Sequence, residues 1–77
     1  MKKVVIYSTP TCVYCKASKE FFTAHNVPYE EYNVATDVAK RNEMVEKSGQ
    51  LGVPVIDVGG EIIVGFDQEA LSKALGV

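Results

Sequence analysis

Residues 4–15 read Val4-Val5-Ile6-Tyr7-Ser8-Thr9-Pro10-Thr11-Cys12-Val13-Tyr14-Cys15. The first four are β-branched or aromatic with no polar alternation. That pattern belongs to a central strand buried on both faces. Ser8-Thr9-Pro10-Thr11 breaks the strand. A helix is predicted over 13–25, with Val13, Ala17, Phe21 and Ala24 recurring at helical spacing as its inward face. Cys12 and Cys15 therefore stand where a strand hands over to a helix. A thiol there feels the positive end of the helix dipole and unpaired backbone N–H groups. Both favour the thiolate, the form that attacks disulfides. No other cysteine is present, so the pair is either a redox couple or half of a metal site. Its position at a helix start, within a strand–helix–strand pattern, points to the redox couple.

The order of the remaining elements follows from local signals. Asn26 suits a left-handed helix end, and Pro28 stops any continuation. Residues 29–34 predict a second strand. Residues 37–47 predict a charged helix whose apolar positions are Val38, Met44 and Val45, ended by Ser48-Gly49. Gly52-Val53-Pro54 leads into a third strand, Val55 to Val58. Gly59-Gly60 is a two-residue hairpin turn, and Glu61 to Val64 returns as a fourth strand. A last helix runs from about Asp67 to Leu75, with Leu71, Ala74 and Leu75 as its buried stripe and Gly76 at its end. The order is β-α-β-α-β-β-α. A right-handed first crossover places the first two strands parallel, and the hairpin adds two antiparallel strands. The expected fold is α/β: a three-layer α/β/α sandwich around a four-stranded mixed sheet, with residues 1–77 as one domain.

Bulk properties narrow the function. The chain has 77 residues, 47% apolar and 23% charged, with a net charge of −2. A chain of that length has an expected radius of gyration of roughly 11 Å. The negative charge and the lack of a Lys/Arg run argue against a nucleic-acid partner. No apolar run reaches membrane-spanning length. Met1-Lys2-Lys3 is followed by only Val4, Val5 and Ile6 before Tyr7 and polar residues. That is too short for the apolar core of a signal peptide, so a cytoplasmic location is expected. Two close cysteines there point to catalysis or metal rather than a structural staple. A structural zinc site wants four ligands. Two cysteines and a single distant histidine, His25, do not supply them, and no metal is expected at the site. His25 reads as a surface group or a partner for the end of its helix. A monomer is the expectation for this size and surface.

Three segments together resemble the glutaredoxins, within the thioredoxin superfamily: Thr9-Pro10-Thr11-Cys12-Val13-Tyr14-Cys15, Gly52-Val53-Pro54-Val55 and Gly65-Phe66-Asp67. The resemblance spans nearly the whole chain. It implies a thiol–disulfide oxidoreductase that reduces glutathionylated or disulfide-bonded proteins. Glutathione would be a co-substrate, with no tightly bound cofactor. The chain departs from the family pattern in three places, one of them Gly52-Val53-Pro54, where the family usually has Thr-Val-Pro. Many glutaredoxins carry a lysine shortly before the cysteine pair, where Ser8 and its neighbours stand. Gln68 is neutral where the family's second aspartate helps hold the γ-glutamyl ammonium. These departures keep open an alternative: a carrier reduced by a flavoprotein disulfide reductase. The resemblance also allows a dimeric iron–sulfur module built on Cys12 and glutathione.

The candidate site residues divide by chemistry. Cys12 is the expected nucleophile and Cys15, one helical turn on, the resolving thiol. Thr11 is a candidate helix cap. Tyr14 could pack over a bound peptide, and Lys16 could support a nearby thiolate. Gln50 is a candidate lining residue of the groove. The resemblance implies a cis Pro54 and a Val53 backbone that pairs with an extended substrate. Gly65, Phe66 and Asp67 begin the last helix. Backbone N–H groups there could hold the γ-glutamyl carboxylate of glutathione, with Asp67 reading equally as an N-cap. Phe66 reads as a core plug or as part of an apolar docking surface.

Overall fold

The structure, a computed structural model, describes residues 3–77; Met1 and Lys2, read above as the flank of a short apolar run, lie outside it. The chain forms β1 (Val4–Ser8), α1 (Val13–Ala24), β2 (Glu30–Asn33), α2 (Val38–Ser48), β3 (Val55–Val58), β4 (Glu61–Val64) and α3 (Gln68–Leu75). The sheet order is β2-β1-β3-β4. β1 pairs parallel with β2, from Val5↔Glu30 to Ser8↔Asn33, and antiparallel with β3, from Val4↔Val58 to Tyr7↔Val55. β4 closes the hairpin antiparallel to β3. Its turn needs positive φ twice in succession, which only glycine adopts without strain. Gly59 and Gly60 supply φ of 58° and 100°.

β1 is buried along its whole length, because its two faces feed separate cores. Val4 and Ile6 pack with Ile56, Val58 and Ile63 beneath Phe21 and Phe22 of α1 and Leu71 and Ala74 of α3. Val5, Tyr7 and Val55 pack with Val34 and Met44 on the α2 side. The three-layer sandwich and mixed sheet are as expected, and the radius of gyration is 11.3 Å. The Tyr7 hydroxyl is carried into the interior and paired there. It donates to Glu43 at 2.8 Å and accepts from the Lys47 ammonium at 3.1 Å. Lys47 in turn reaches Asp57 of β3 at 2.9 Å, so α2 is tied to the sheet by polar contacts as well as by Met44.

Several local expectations are corrected. The inward residues of α1 are Cys15, Ser18, Phe21 and Phe22, whereas Val13 and Ala24 are exposed. Val13 precedes Cys15, and Ala24 follows Phe22, by two positions. That is about 200° around the helix. Val38 is likewise exposed, six positions from the fully buried Met44 and on another face of α2. β2 is shorter than 29–34 at both ends. Tyr29 leaves the sheet to pack against Phe22 at a ring separation of 5.3 Å. Val34 still donates its N–H to the Ser8 carbonyl at 2.9 Å. α1 ends at Ala24, with His25 as its C-cap, its ring tilted against that of Phe21 at a centroid separation of 4.5 Å. Asn26 takes the expected left-handed conformation, with φ of 56°.

Candidate active site

The site lies at the end of the sheet where β1 stops and β3 begins. Cys12 is the N-cap of α1: its backbone is extended, and its sulfur accepts the Cys15 N–H at 3.1 Å. This corrects the expectation for Thr11, which is exposed one position before the cap. The Cys12 sulfur thus takes the place that an oxygen usually fills. The loop is pinned by the Cys12 N–H, which donates to the Thr9 carbonyl at 3.3 Å. Cys12 is half-buried and therefore reachable, whereas Cys15 is 1% exposed.

That difference governs the two thiols' chemistry. Cys15 falls on the inward phase of α1, and burial pushes its thiol up to about 12. The Cys12 side chain beside it acts in the same direction, while the Thr9 backbone N–H and the Lys19 ammonium pull the other way. At the end of β1 is a polar cluster that no sequence signal singles out. The buried Ser8 hydroxyl donates to Glu31 at 2.7 Å, and Lys19 reaches the same carboxylate oxygen at 2.8 Å. Lys19 and then Ser8 hold the Glu31 carboxyl below its usual range, and Glu31 in turn holds Lys19 above its own.

On the β3 side, the Val53–Pro54 bond is cis, the isomer the resemblance implies. Pro54 is buried and Val53 half-buried. The Pro54 carbonyl accepts the Gly65 N–H at 2.8 Å, which ties the end of β4 to the start of β3. Gly65, at φ +80° with open space where a Cβ would stand, turns the chain out of the sheet. Its N–H is therefore already engaged. The free donors of this region are those that open α3, where Asp67 is the N-cap and accepts the Ala70 N–H at 3.1 Å. Phe66 packs against the core beside Phe21, 6.1 Å away. Gln50 folds back on its own turn, bonding both the N–H and the carbonyl of Gly52. Tyr14 and Lys16 are exposed on the first turn of α1.

A groove of about 370 Å³ is lined by Thr9 of the loop before Cys12, by Val34, Leu51 and Val53, and by Arg41 of α2; neither cysteine is in its walls. Arg41 forms no ion pair among the described residues. It was missed because α2 reads as a uniformly solvated, charged helix; no local signal separates Arg41 from its neighbours. Among the described residues no three His, Cys, Asp or Glu side chains are grouped as a metal site would need. No helix among them is long and apolar enough to cross a membrane.

A reachable thiol capping a helix, a buried thiol one turn on, and a mixed sheet ordered β2-β1-β3-β4 define a dithiol protein of thioredoxin-like fold. A family model described as Glutaredoxin matches residues 4–63, and the chain belongs to that family. It is 46% identical over 72 residues to a glutaredoxin-like 8.6 kDa protein in the rubredoxin operon of Clostridium pasteurianum, covering 94% of this chain and 96% of that protein. To glutaredoxin 3 of Escherichia coli K12 it is 36% identical over 67 residues, covering 87% and 81%. Among solved structures, a mutant of the thioredoxin-like protein BC3987 superposes with a TM-score of 0.92 at 36% identity, covering 100% of this chain and 99% of that one. A glutaredoxin from Archaeoglobus fulgidus superposes at 0.88 with 25% identity, covering 97% and 87%. Membership of the family supports thiol–disulfide oxidoreductase chemistry.

Proposed function

We propose that the protein is a glutathione-dependent thiol–disulfide oxidoreductase acting through Cys12. The observation that carries this reading is the asymmetry of the pair, with Cys12 reachable at the helix cap and Cys15 buried behind it. The Cys12 thiolate attacks the glutathione sulfur of a glutathionylated protein. The S–S bond of the substrate breaks, the protein thiolate departs, and Cys12 is left joined to glutathione. A second glutathione thiolate then releases oxidised glutathione and restores Cys12. With a protein disulfide, Cys15 instead attacks the mixed disulfide, closes the Cys12–Cys15 bond and frees the reduced substrate.

The groove supports glutathione as the co-substrate. Its walls are largely apolar, and the Arg41 guanidinium at its edge suits a terminal carboxylate. Arg41 would then supply the cation that many glutaredoxins place before the cysteine pair. Val53 makes no backbone hydrogen bond among the described residues. Its N–H and carbonyl are available to an extended peptide backbone, as in strand addition. Partners on this reading are glutathione and oxidised or glutathionylated proteins, in a reducing compartment such as the cytoplasm. The rubredoxin-operon relative supports a redox protein among them.

The test is steady-state reduction of a glutathionylated peptide by glutathione and glutathione reductase, with wild type and Cys15→Ser in parallel. Turnover by both is expected, and none with Cys12→Ser. Loss of turnover in wild type, with insulin reduction by the dithiol intact, would move the protein to the carriers fed by a flavoprotein disulfide reductase.

A further inference from the structure

The resolving step sets a problem that the cysteine pair does not solve by itself. Cys15 must act as a thiolate, yet it sits 1% exposed on the buried face of α1, where a charge is poorly solvated. Two groups oppose that penalty. One is the Thr9 backbone N–H. The other is Lys19, four residues on from Cys15 and so on the same face of α1, where side chains three or four apart are neighbours.

Lys19 is not a freely moving surface lysine. Its ammonium is anchored by Glu31 of β2 at 2.8 Å, and the same carboxylate oxygen accepts the Ser8 hydroxyl at 2.7 Å. Ser8 is 1% exposed and is the last residue of β1, one position before Thr9. The contacts thus run from β1 through β2 to α1, and end on the residue four positions beyond Cys15. A surface ion pair alone would mean little. A pair whose acidic member is fixed by a buried hydroxyl restrains its cation, on the helix face that Cys15 shares.

We infer that Lys19, tethered by Glu31 and Ser8, is a positioning residue for the resolving step, supporting the Cys15 thiolate as it attacks the Cys12 mixed disulfide. This rests on Cys12 being the nucleophile and Cys15 the resolving thiol. In the step, Cys15 gives its proton to water, and its sulfur attacks the Cys12 sulfur. The bond between Cys12 and the substrate sulfur breaks, and the substrate leaves as a thiolate that takes up a proton. Cys15 is oxidised and the substrate sulfur reduced. Lys19 changes neither its own bonding nor its protonation. The charged and titratable groups around Cys15 and Lys19 are Cys12 on the cap, Glu31 on β2 and Tyr29 just before it. Cys15 and Tyr29 both act on Lys19 in the same direction as Glu31.

The test uses Ellman's reagent, an aromatic disulfide whose thiolate product is coloured. Reduced protein should release product in two phases: the first as Cys12 attacks, the second as Cys15 resolves. Lys19→Met should slow the second phase by roughly three- to tenfold, the effect of removing one partly solvated charge from the neighbouring helix turn. It should leave the first phase unchanged. Between about pH 7 and 10 the second-phase rates of both proteins should rise in parallel, separated by that factor, because only the thiolate fraction of Cys15 differs. Lys19→Arg should restore most of the rate, and Glu31→Gln should fall between. A second phase in Lys19→Met equal to wild type across this range would overturn the inference. So would equal slowing of both phases with a lowered melting temperature, the mark of a purely structural role. Cys15→Ser, run alongside, must keep the first phase and lose the second. Failure of that control would refute the assignment of the two thiols themselves, separately from Lys19.

Discussion

Cys15 should be nearly inert to alkylation at a pH where an ordinary cysteine reacts readily. Burial and the neighbouring Cys12 push its thiol up to about 12, against about 8.5 for a free cysteine. At pH 8 the thiolate fraction is then about 10⁻⁴, compared with roughly a quarter for a free thiol, a ratio of order a thousand. The cleanest setting is Cys12→Ser, which leaves Cys15 as the only thiol and retains burial, the largest cause. Reaction with iodoacetamide, followed by intact mass, should run at least a hundredfold slower than with a model cysteine peptide, and should recover fully in urea. The same shift links pH to stability. The folded chain keeps a proton on Cys15 that the unfolded chain releases. The stabilisation is therefore complete below about pH 8.5 and is lost as pH rises toward 12, at about 1.4 kcal/mol per pH unit. Tyrosines and lysines titrate in the same window, so the comparison is with Cys15→Ala, whose stability should fall less steeply above pH 9. Alkylation of Cys15 within tenfold of the peptide rate, or parallel pH–stability curves for the two proteins, would refute the reasoning.

Three further outcomes are expected. Met44→Ala empties a fully buried position under α2 and should cost about 2–5 kcal/mol, read as a lower urea midpoint at unchanged slope. Asp67→Ala removes the side chain that caps α3 and should cost about 1 kcal/mol, measured the same way, whereas Asp67→Asn should cost little. Arg41→Gln should raise KM for glutathione several-fold while leaving the Ellman's first phase unchanged; an unchanged KM would remove Arg41 from glutathione binding.

What was legible in the sequence was whatever rests on neighbours along the chain. β1 has no polar face, so helices had to cover both sides of the sheet. Gly59-Gly60 fixed the hairpin, and Asp67 before an amphipathic octet fixed the start of α3. The helix phase was harder to read. Val13 and Val38 are apolar and correctly spaced from some apolar residues, but the buried phase of α1 is set by Ser18 and Cys15, which the pattern undervalues, and that of α2 by Met44, one of the three apolar positions read there. Ser18 is fully buried yet polar, which it achieves by donating its hydroxyl to the Tyr14 carbonyl at 2.8 Å. The polar cluster at the end of β1 was not legible at all. Ser8, Lys19 and Glu31 come from three elements, and each alone reads as an ordinary strand-end, helix-surface or strand-surface residue. Only the parallel register that sets Ser8 beside Asn33 brings Glu31 within reach of the other two.

The division of labour between the two thiols follows from helix geometry more than from the cysteines themselves. A residue at the N-cap lies outside the helix, faces solvent and meets unpaired N–H groups. A residue three positions on lies inside it and takes the helix's phase. In α1 that phase is fixed by Ser18 and Phe22, three and seven positions beyond Cys15, both 0% exposed, so Cys15 has to face the core. Lengthening the spacing by one residue would carry the second thiol about 100° around the wheel, out of the core. It would become reachable, as Cys12 is. The pair would lose the asymmetry on which the proposed reaction rests, one sulfur reachable and the other buried. The three-residue spacing is thus a statement about burial as much as about the reach of a disulfide.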